Sequence, residues 1–339
     1  MPRVPSIVFA NLTCRFGNRY ALLDLAREVV IPALLDVTMK RRFGSTSYFF
    51  IDVGLVDVEV EGTSERQLTI FGRIVKDTVL TRSQIYSADS GLIPDEDSMP
   101  SAPSSFFALD LNNHKLAFLP ETPHAPPIAA FASTLKAFLR RKHISFVRAL
   151  YEEAKRAGTP RPLQYFLEQY PHPDLEATPM ANKSSISEFL SSFAKLTHLE
   201  FRILETNAEF QRQQTFRDLK AMKDELAATT TKLVHDSKVG LNVGAAAEEI
   251  NASAAAGNQK VVLAGTASDG TELRGSNDSF KLRVSAEDVP DRPAARATHL
   301  TREYFKQVEQ GRLRPDQSET DTGKIELIRE NLSGKFEQG

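Results

Sequence analysis

Two short clusters of basic residues carry the strongest chemical signal in the sequence. The seven cations concerned are Lys40, Arg41, Arg42, Arg140, Arg141, Lys142 and Arg148. Lys and Arg side chains neutralise backbone phosphates, so a fold that joined both clusters would form a binding site for DNA or RNA. The alternative is local, because each cluster ends a predicted helix, where the helix dipole favours cations by about 0.3–1 kcal/mol each. The nucleic-acid hypothesis therefore depends on both clusters sharing one face.

Three aromatic residues follow the first cluster on a predicted strand. They are Tyr48, Phe49 and Phe50. Aromatic rings beside cations can stack on nucleic-acid bases. Because apolar rings on a strand also build the core, we expect two of the three to be buried.

Acidic residues support a second hypothesis, a metal-dependent nuclease. Such an enzyme needs two or three carboxylates and a Lys on adjacent strands to hold a magnesium ion and a water molecule. Asp174 and Glu200, with Arg202 beside them, are the candidates, although an Arg cannot replace the Lys as a proton shuttle. The acidic residues Asp52 and Asp57 alternate with apolar positions and fit the solvated face of an antiparallel strand.

Other catalytic and cofactor signatures are missing from the sequence. The glycines of Gly240–Gly244 are one residue too close for a P-loop, and no Lys-Ser/Thr pair follows them. The seven histidines are scattered singly, no Gly-x-Ser-x-Gly motif is present, and Cys14 is the single cysteine. We therefore favour a protein that is not an enzyme, with no catalytic residue, metal or cofactor, and keep the metal-dependent nuclease as an alternative.

The composition is that of a globular protein. The chain has 339 residues with 42 Lys and Arg against 44 Asp and Glu, a formal charge of −2, and 41% apolar residues. This balance excludes a uniformly basic nucleic-acid coat but allows a local patch. No apolar run approaches the roughly 18–20 residues that cross a bilayer, and the N-terminus lacks the apolar stretch of a signal peptide. We expect a cytoplasmic protein with no membrane partner.

Hydrophobic periodicity predicts the elements that must position these side chains. The strand Ile7–Cys14 is followed by a helix from Ala21 to Met39 and by further strands, and Asn112-Asn113-His114 predicts a hairpin turn. The mixture of strand–helix alternation and consecutive hairpins predicts an α+β fold. Mixed or antiparallel sheets would carry helices packed on one face, with ferredoxin-like elements.

Changes in composition divide the chain into three parts. The predicted parts are an N-terminal α+β domain (1–158), a second α+β part (159–290) and a polar C-terminal tail (291–339). Within the first part, 87–105 is predicted to be a flexible loop because it is rich in Pro, Ser and acidic residues. Within the second part, 214–234 is predicted to be one long helix and 260–285 a hairpin.

Several short motifs together resemble those of an uncharacterised bacterial family, classed as a domain of unknown function. The motifs are Ile7–Cys14, Arg42-Phe43-Gly44 with Tyr48–Ile51, Ile70–Ile74, Phe106–Asp110 with Asn113–Leu116, and Leu196–Asn207. The resemblance runs from Ile7 to Val289. The family pattern Pro-Asn-x-Asp is replaced by Thr206-Asn207-Ala208-Glu209 here. The resemblance implies no catalytic residue and suggests a bacterial protein of a mobile or antiviral-defence gene island.

These observations lead to one main expectation and two alternatives. The main expectation is a non-enzymatic binding or regulatory protein that senses nucleic acid through its basic clusters, within a bacterial antiviral-defence or mobile-element system. The first alternative is the metal-dependent nuclease effector. The second is a structural subunit whose role depends on a partner protein or on homo-oligomerisation.

Overall fold

The computed structural model describes residues 5–62, 66–204, 214–315 and 321–331. The described chain combines helices with two antiparallel sheets, which confirms the α+β class predicted from the sequence. None of the helices in these ranges is both long enough and apolar enough to cross a membrane. The motif residues Thr206-Asn207-Ala208-Glu209 lie outside the described residues.

The elements alternate irregularly along the chain. The strands are β1 (Ser6–Phe16), β2 (Tyr20–Ala21), β3 (Arg41–Phe43), β4 (Thr46–Val58), β5 (Gln67–Ser87), β6 (Gly91–Ser101), β7 (Ser104–Asp110), β8 (Lys115–Pro120), β9 (Pro173–Pro179), β10 (Phe193–Ile203), β11 (Thr231–Asp236), β12 (Gln259–Ala267), β13 (Glu272–Ser276) and β14 (Arg283–Ser285). The helices are a 3₁₀ turn (Leu22–Leu25), a π turn (Ala26–Val30), α1 (Ile31–Leu35), α2 (Ile128–Arg156), α3 (Leu163–Gln169), α4 (Lys183–Leu190), α5 (Gln214–Glu225), α6 (Val243–Ser253), α7 (Pro293–Glu309) and α8 (Thr322–Asn331).

The first sheet is curled into a half-barrel with the strand order β14-β1-β8-β7-β5-β4-β3. Strand β9 also pairs with β1, and β6 pairs with β5. Both faces of this sheet are buried, because β1 places Val8 and Leu12 in one core and Ile7 and Phe9 in another. Successive side chains of a strand point to opposite faces, so one strand can contribute side chains to two hydrophobic cores.

Helices cover both faces of the first sheet, whereas the sequence predicted helices on one face. The long helix α2 packs Phe131 and Phe138 against Phe50 of β4 on one side. On the opposite side α7 buries Leu300 and Tyr304. Helix α7 lies within the segment 291–339, and its apolar residues recur three or four positions apart, which gives it an apolar face for this side of the sheet. Helix α8 buries Ile325 and Ile328 in the same core as α2.

The second sheet has the order β11-β10-β12-β13 and packs one face against α4 and α6. A buried polar chain connects the two sheets. Lys115 Nζ donates to Asn11 Oδ1 at 2.8 Å, and Asn11 Nδ2 donates to Asn258 Oδ1 at 2.6 Å. Beside it Gly257 has a φ of +78°, and an added Cβ would lie 2.7 Å from the Thr178 carbonyl oxygen, so this approach requires glycine.

Strands also connect the predicted parts of the chain. β9 and β14 follow residue 158 but pair with β1 of the first sheet. Within the predicted hairpin 260–285, β12 pairs with β13 around the turn at Asp269-Gly270. The last strand, β14, leaves this hairpin for the first sheet.

Two segments differ from their predicted secondary structure. The segment 87–105, predicted as a loop, contains β6, whose Pro94 and Pro100 are tolerated because β6 pairs on one edge alone within the described chain. The predicted helix 214–234 ends at Glu225, and β11 begins at Thr231. A positive φ of 49° at Ala227 ends the helix, and the β-branched run that starts at Thr229 favours the strand that follows.

Candidate nucleic-acid interface

The fold brings the two basic clusters into contact at one edge of the first sheet. Arg141 Nη1 on α2 donates to the backbone oxygen of Lys40 at 3.0 Å, although 101 positions separate the two residues. Arg41 Nη1 also reaches Thr134 Oγ1 on α2, at 3.4 Å. We use the name basic edge for the set Lys40, Arg41, Arg42, Arg140, Arg141, Lys142 and Arg148.

Neither cluster ends a helix, which corrects the sequence-based assignment. The first helix ends at Leu35, and Arg41 opens the edge strand β3 because it pairs with Tyr48 of β4. The second cluster lies in the middle of α2, which continues without a break to Arg156. Since the helix dipole acts within the last turn, it does not account for either cluster.

Strand geometry distributes the first cluster over both sides of the edge. Arg41 is paired with Tyr48, whose ring centroid lies 5.6 Å from the guanidinium carbon, on the side that faces α2. Side chains alternate along a strand, so Arg42 points to the opposite side. Lys40 also lies on that side, because its ammonium nitrogen is 4.7 Å from the centre of the Phe49 ring. The cations thus wrap around the edge strand.

Helical geometry exposes three of the four cations on α2. At 100° per residue, Arg140, Arg141 and Arg148 fall within an arc of about 100° on the outer surface of the helix, and all three are exposed. Arg148 lies about 10 Å along the axis from Arg141. Lys142 points the other way and binds Asp36 Oδ2 at 2.6 Å.

The basic edge carries a large uncompensated positive charge. Lys142 is the one member with a carboxylate partner within the described ranges. Hydrogen bonds from the Lys142 ammonium and the Thr38 hydroxyl lower the pKa of Asp36 to about 2, so this pair is neutral overall at physiological pH. Six cations remain without a neutralising carboxylate in the part of the chain that the structure describes. Such a surface attracts phosphates.

The aromatic residues near the basic edge differ in their exposure. Phe50 is buried in the core below α2, whereas Tyr48 and Phe49 are half-buried beneath Arg41 and Lys40. The most accessible ring is Phe43, which the sequence analysis did not select. It is 70% exposed at the turn between β3 and β4. The sequence did contain a signal for this exposed ring, because Phe43 directly follows the first basic cluster and precedes Gly44, where a turn is expected.

The sequence analysis also did not select Lys155, a further cation on α2. Lys155 follows Arg148 as Arg148 follows Arg141, at intervals of seven residues, and is exposed. Seven residues are close to two helical turns, so the three side chains form one stripe along α2. A regular heptad spacing of cations was the available sequence signal.

The candidate nuclease residues are engaged in separate ion pairs. Asp174 on β9 binds Lys136 of α2, and Glu200 on β10 binds Lys232 of β11 at 2.9 Å. Arg202 lies near Asp174 and helps to lower the pKa of that carboxyl, although Lys136 contributes more. Within the described ranges, no three His, Cys, Asp or Glu side chains gather as metal ligands would.

The other acidic and sulfur-containing candidates have structural surroundings. Asp52 binds Arg73 at 2.6 Å, and Asp57 binds Arg329 at 2.9 Å. Cys14 is fully buried in the core, and desolvation raises the pKa of its thiol to about 12. A thiol that is protonated and inaccessible at neutral pH does not act as a nucleophile.

The comparisons with known proteins identify no family for this chain. No protein-family model matches the sequence, and no curated protein matches it.

Proposed function

We propose that this protein binds single-stranded nucleic acid through the basic edge, as a binding protein without a catalytic step. The main support is the 3.0 Å contact between Arg141 and the Lys40 backbone, which brings two distant basic segments together at one edge of the first sheet. Phosphates would contact the cations on β3 and on the outer surface of α2. The exposed ring of Phe43 lies beside them and offers a stacking platform for a base.

Charge and exposure favour this function over a structural role for the same cations. Structural cations are usually paired with carboxylates, as Lys142 is with Asp36. The exposed arginines of α2 have no such partner among the described residues, and the helix dipole does not stabilise them. A phosphate backbone would supply the missing negative charge.

Fluorescence anisotropy with labelled DNA and RNA oligonucleotides tests the proposed function. For single strands the slope of log Kobs against log salt is about −0.7 per neutralised phosphate, so engagement of the six free cations predicts a slope of roughly −4. The double variant Arg141→Glu/Arg148→Glu should weaken binding by more than tenfold and flatten this slope. The control Lys238→Glu/Arg292→Glu changes the net charge equally at two exposed positions outside the basic edge and should bind like the wild type.

Two further results separate the parts of the proposed function. Phe43→Ala should weaken binding without changing the salt slope, because it removes stacking and leaves the charges in place. Equal binding by the Arg141/Arg148 variant and by its control would reject the site. Cleavage of the oligonucleotide after addition of magnesium or manganese would reject a role without catalysis.

A further inference from the structure

A two-stranded ribbon projects from the first sheet close to the basic edge. Beyond Thr78 strand β5 pairs with β6 alone, and the two strands continue to the turn at Ala88–Ser90. We call the segment Thr78–Ser101 the arm. Ten residues at about 3.3 Å each give it a length of roughly 30 Å.

The arm exposes apolar side chains along one face, because side chains alternate along a strand and Leu80 and Tyr86 are an even number of residues apart on β5. Leu80 is paired with Met99, and Tyr86 is paired with Leu92 nearer the tip. These four residues are between 43% and 74% exposed. A two-stranded hairpin is at best marginally stable alone, and exposed apolar patches usually mark contact surfaces. The arm is therefore built to pack against another surface.

The charge of the arm restricts what that surface can be. The arm carries four carboxylates, those of Asp89, Asp95, Glu96 and Asp97, against the single guanidinium of Arg82. Arg82 binds Asp95 and Asp97, so Asp89 and Glu96 remain unpaired within the described chain. A nucleic acid would be repelled by this charge. The surface that fits is basic and includes some apolar area.

The basic edge of a second copy of this chain has that chemistry. Its six free cations complement the acidic arm, and the exposed apolar side chains of Phe43 and Ile144 adjoin those cations. The position of the arm allows both contacts to form together. Thr46 Oγ1 and Thr78 Oγ1 are 3.1 Å apart, which places the turn that follows β3 beside the root of the arm. A twofold axis near this point would lay each arm on the other copy's basic edge.

We propose that the protein forms a homodimer in which each arm lies on the basic edge of the other copy. This dimer uses the cations of the proposed nucleic-acid site, but it forms without nucleic acid and is measured without it. Because both ligands need the same cations, nucleic acid and dimerisation compete. The arm of the second copy thus keeps the site covered until an oligonucleotide displaces it.

Sedimentation velocity of the full chain with a charge exchange provides the test. The arm variant Asp89→Lys/Glu96→Lys and the edge variant Arg141→Glu/Arg148→Glu should each raise the dimer dissociation constant at least tenfold, because each removes two attractive charges and introduces two repulsive ones in both contacts. An equimolar mixture should form a heterodimer that is tighter than the dimer of either variant alone, since one contact is native and in the other the new lysines meet the new glutamates. The control Glu309→Lys/Glu330→Lys reverses two exposed carboxylates outside the arm and should remain dimeric.

A second variant tests the apolar part of the contact without changing any charge. Leu80→Ser/Met99→Ser should raise the dimer dissociation constant at least tenfold, while circular dichroism remains that of the wild type. A wild type that is monomeric at high micromolar concentration would overturn the dimer. A single charge variant that dimerises as tightly as the wild type, or a mixture that associates no more tightly than either variant alone, would overturn the reciprocal arrangement.

Nucleic-acid binding by the arm variant separates this dimer from the proposed function. The arm variant keeps the whole basic edge, so it should bind oligonucleotides at least as tightly as the wild type. Excess oligonucleotide should convert the wild-type dimer to monomers. A wild type that binds oligonucleotides but is monomeric contradicts the dimer alone, and a wild type that dimerises but does not bind oligonucleotides contradicts the proposed function alone.

Discussion

The buried carboxyl of Asp110 should make the stability of this protein fall as the pH rises through the weakly acidic range. Asp110 ends β7 and is 3% exposed. Its Oδ1 accepts a hydrogen bond from the Asn112 amide at 2.8 Å, whereas its Oδ2 is buried without a hydrogen-bond partner. Desolvation of the charged form is the largest effect and raises the pKa of Asp110 to about 7, even though the backbone amides and Lys115 favour ionisation.

The sign and size of the effect follow from proton linkage. In the unfolded chain Asp110 ionises near its ordinary pKa of 3.8, whereas the folded chain keeps the proton up to about pH 7. The folded state therefore binds more protons between these values, and its stability decreases as the pH rises through them. A shift of this size corresponds to a loss of roughly 4 kcal/mol across the whole interval. The favourable contribution is complete below the unfolded pKa.

The variant Asp110→Asn isolates this effect because it keeps an oxygen for the Asn112 amide and cannot ionise. Its amide donors are buried, which costs about 1–3 kcal/mol at every pH, so the informative quantity is the slope. Urea unfolding between about pH 4 and pH 8 should show the wild type losing stability relative to the variant as the pH rises. Glu153→Gln, at an exposed position of α2, is the control and should leave the slope unchanged. A constant difference between wild type and Asp110→Asn would refute the reasoning.

Three other predictions concern stability and reactivity. Cys14 should react with a thiol reagent at the rate of global unfolding, so reaction within the dead time in native buffer would contradict its burial. Gly265→Ala should lower stability by about 1–3 kcal/mol, because the added Cβ would lie 2.1 Å from the Lys195 backbone oxygen; Gly244→Ala on α6 is the matched control and should be neutral or stabilising in thermal unfolding. Asp36→Asn should destabilise the protein at neutral pH, and its difference from wild type in urea unfolding should shrink as the pH falls from the ordinary pKa of 3.8 through about 2, where the carboxyl of the folded wild type becomes protonated.

Local sequence patterns predicted the class of fold. They did not predict the secondary structure of segments that depend on pairing with distant parts of the chain. The hairpin around Asn112-Asn113-His114 has its turn signal inside the sequence, and β7 pairs with β8 there. The residues after Glu225 carry conflicting local signals, because Leu226 and Leu233 keep a helical spacing while a β-branched run starts at Thr229. Pairing of β11 with β10 decides in favour of the strand.

The candidate site could be predicted as a set of residues but not as an arrangement. Lys40 and Arg141 contact each other through a backbone oxygen, and no sequence spacing encodes a contact over 101 positions. The direction of Lys142 towards Asp36 follows from the rotation of α2 against the first sheet, which depends on how Phe131 and Phe138 pack. Residue type therefore indicated the chemistry, and tertiary packing selected which cations stay free.

The uneven distribution of charge connects the two proposals. The chain is nearly neutral overall, so a surface with six uncompensated cations requires an excess of carboxylates elsewhere, and the arm supplies part of it. Exposed charges attract over about 10 Å at 0.1 M salt, so both the dimer and the nucleic-acid complex should weaken as salt is added. They differ in the apolar contribution, because Leu80 and Met99 contact a partner only in the dimer. At salt concentrations that abolish oligonucleotide binding, a residual dimer that requires these two side chains is therefore the expected result.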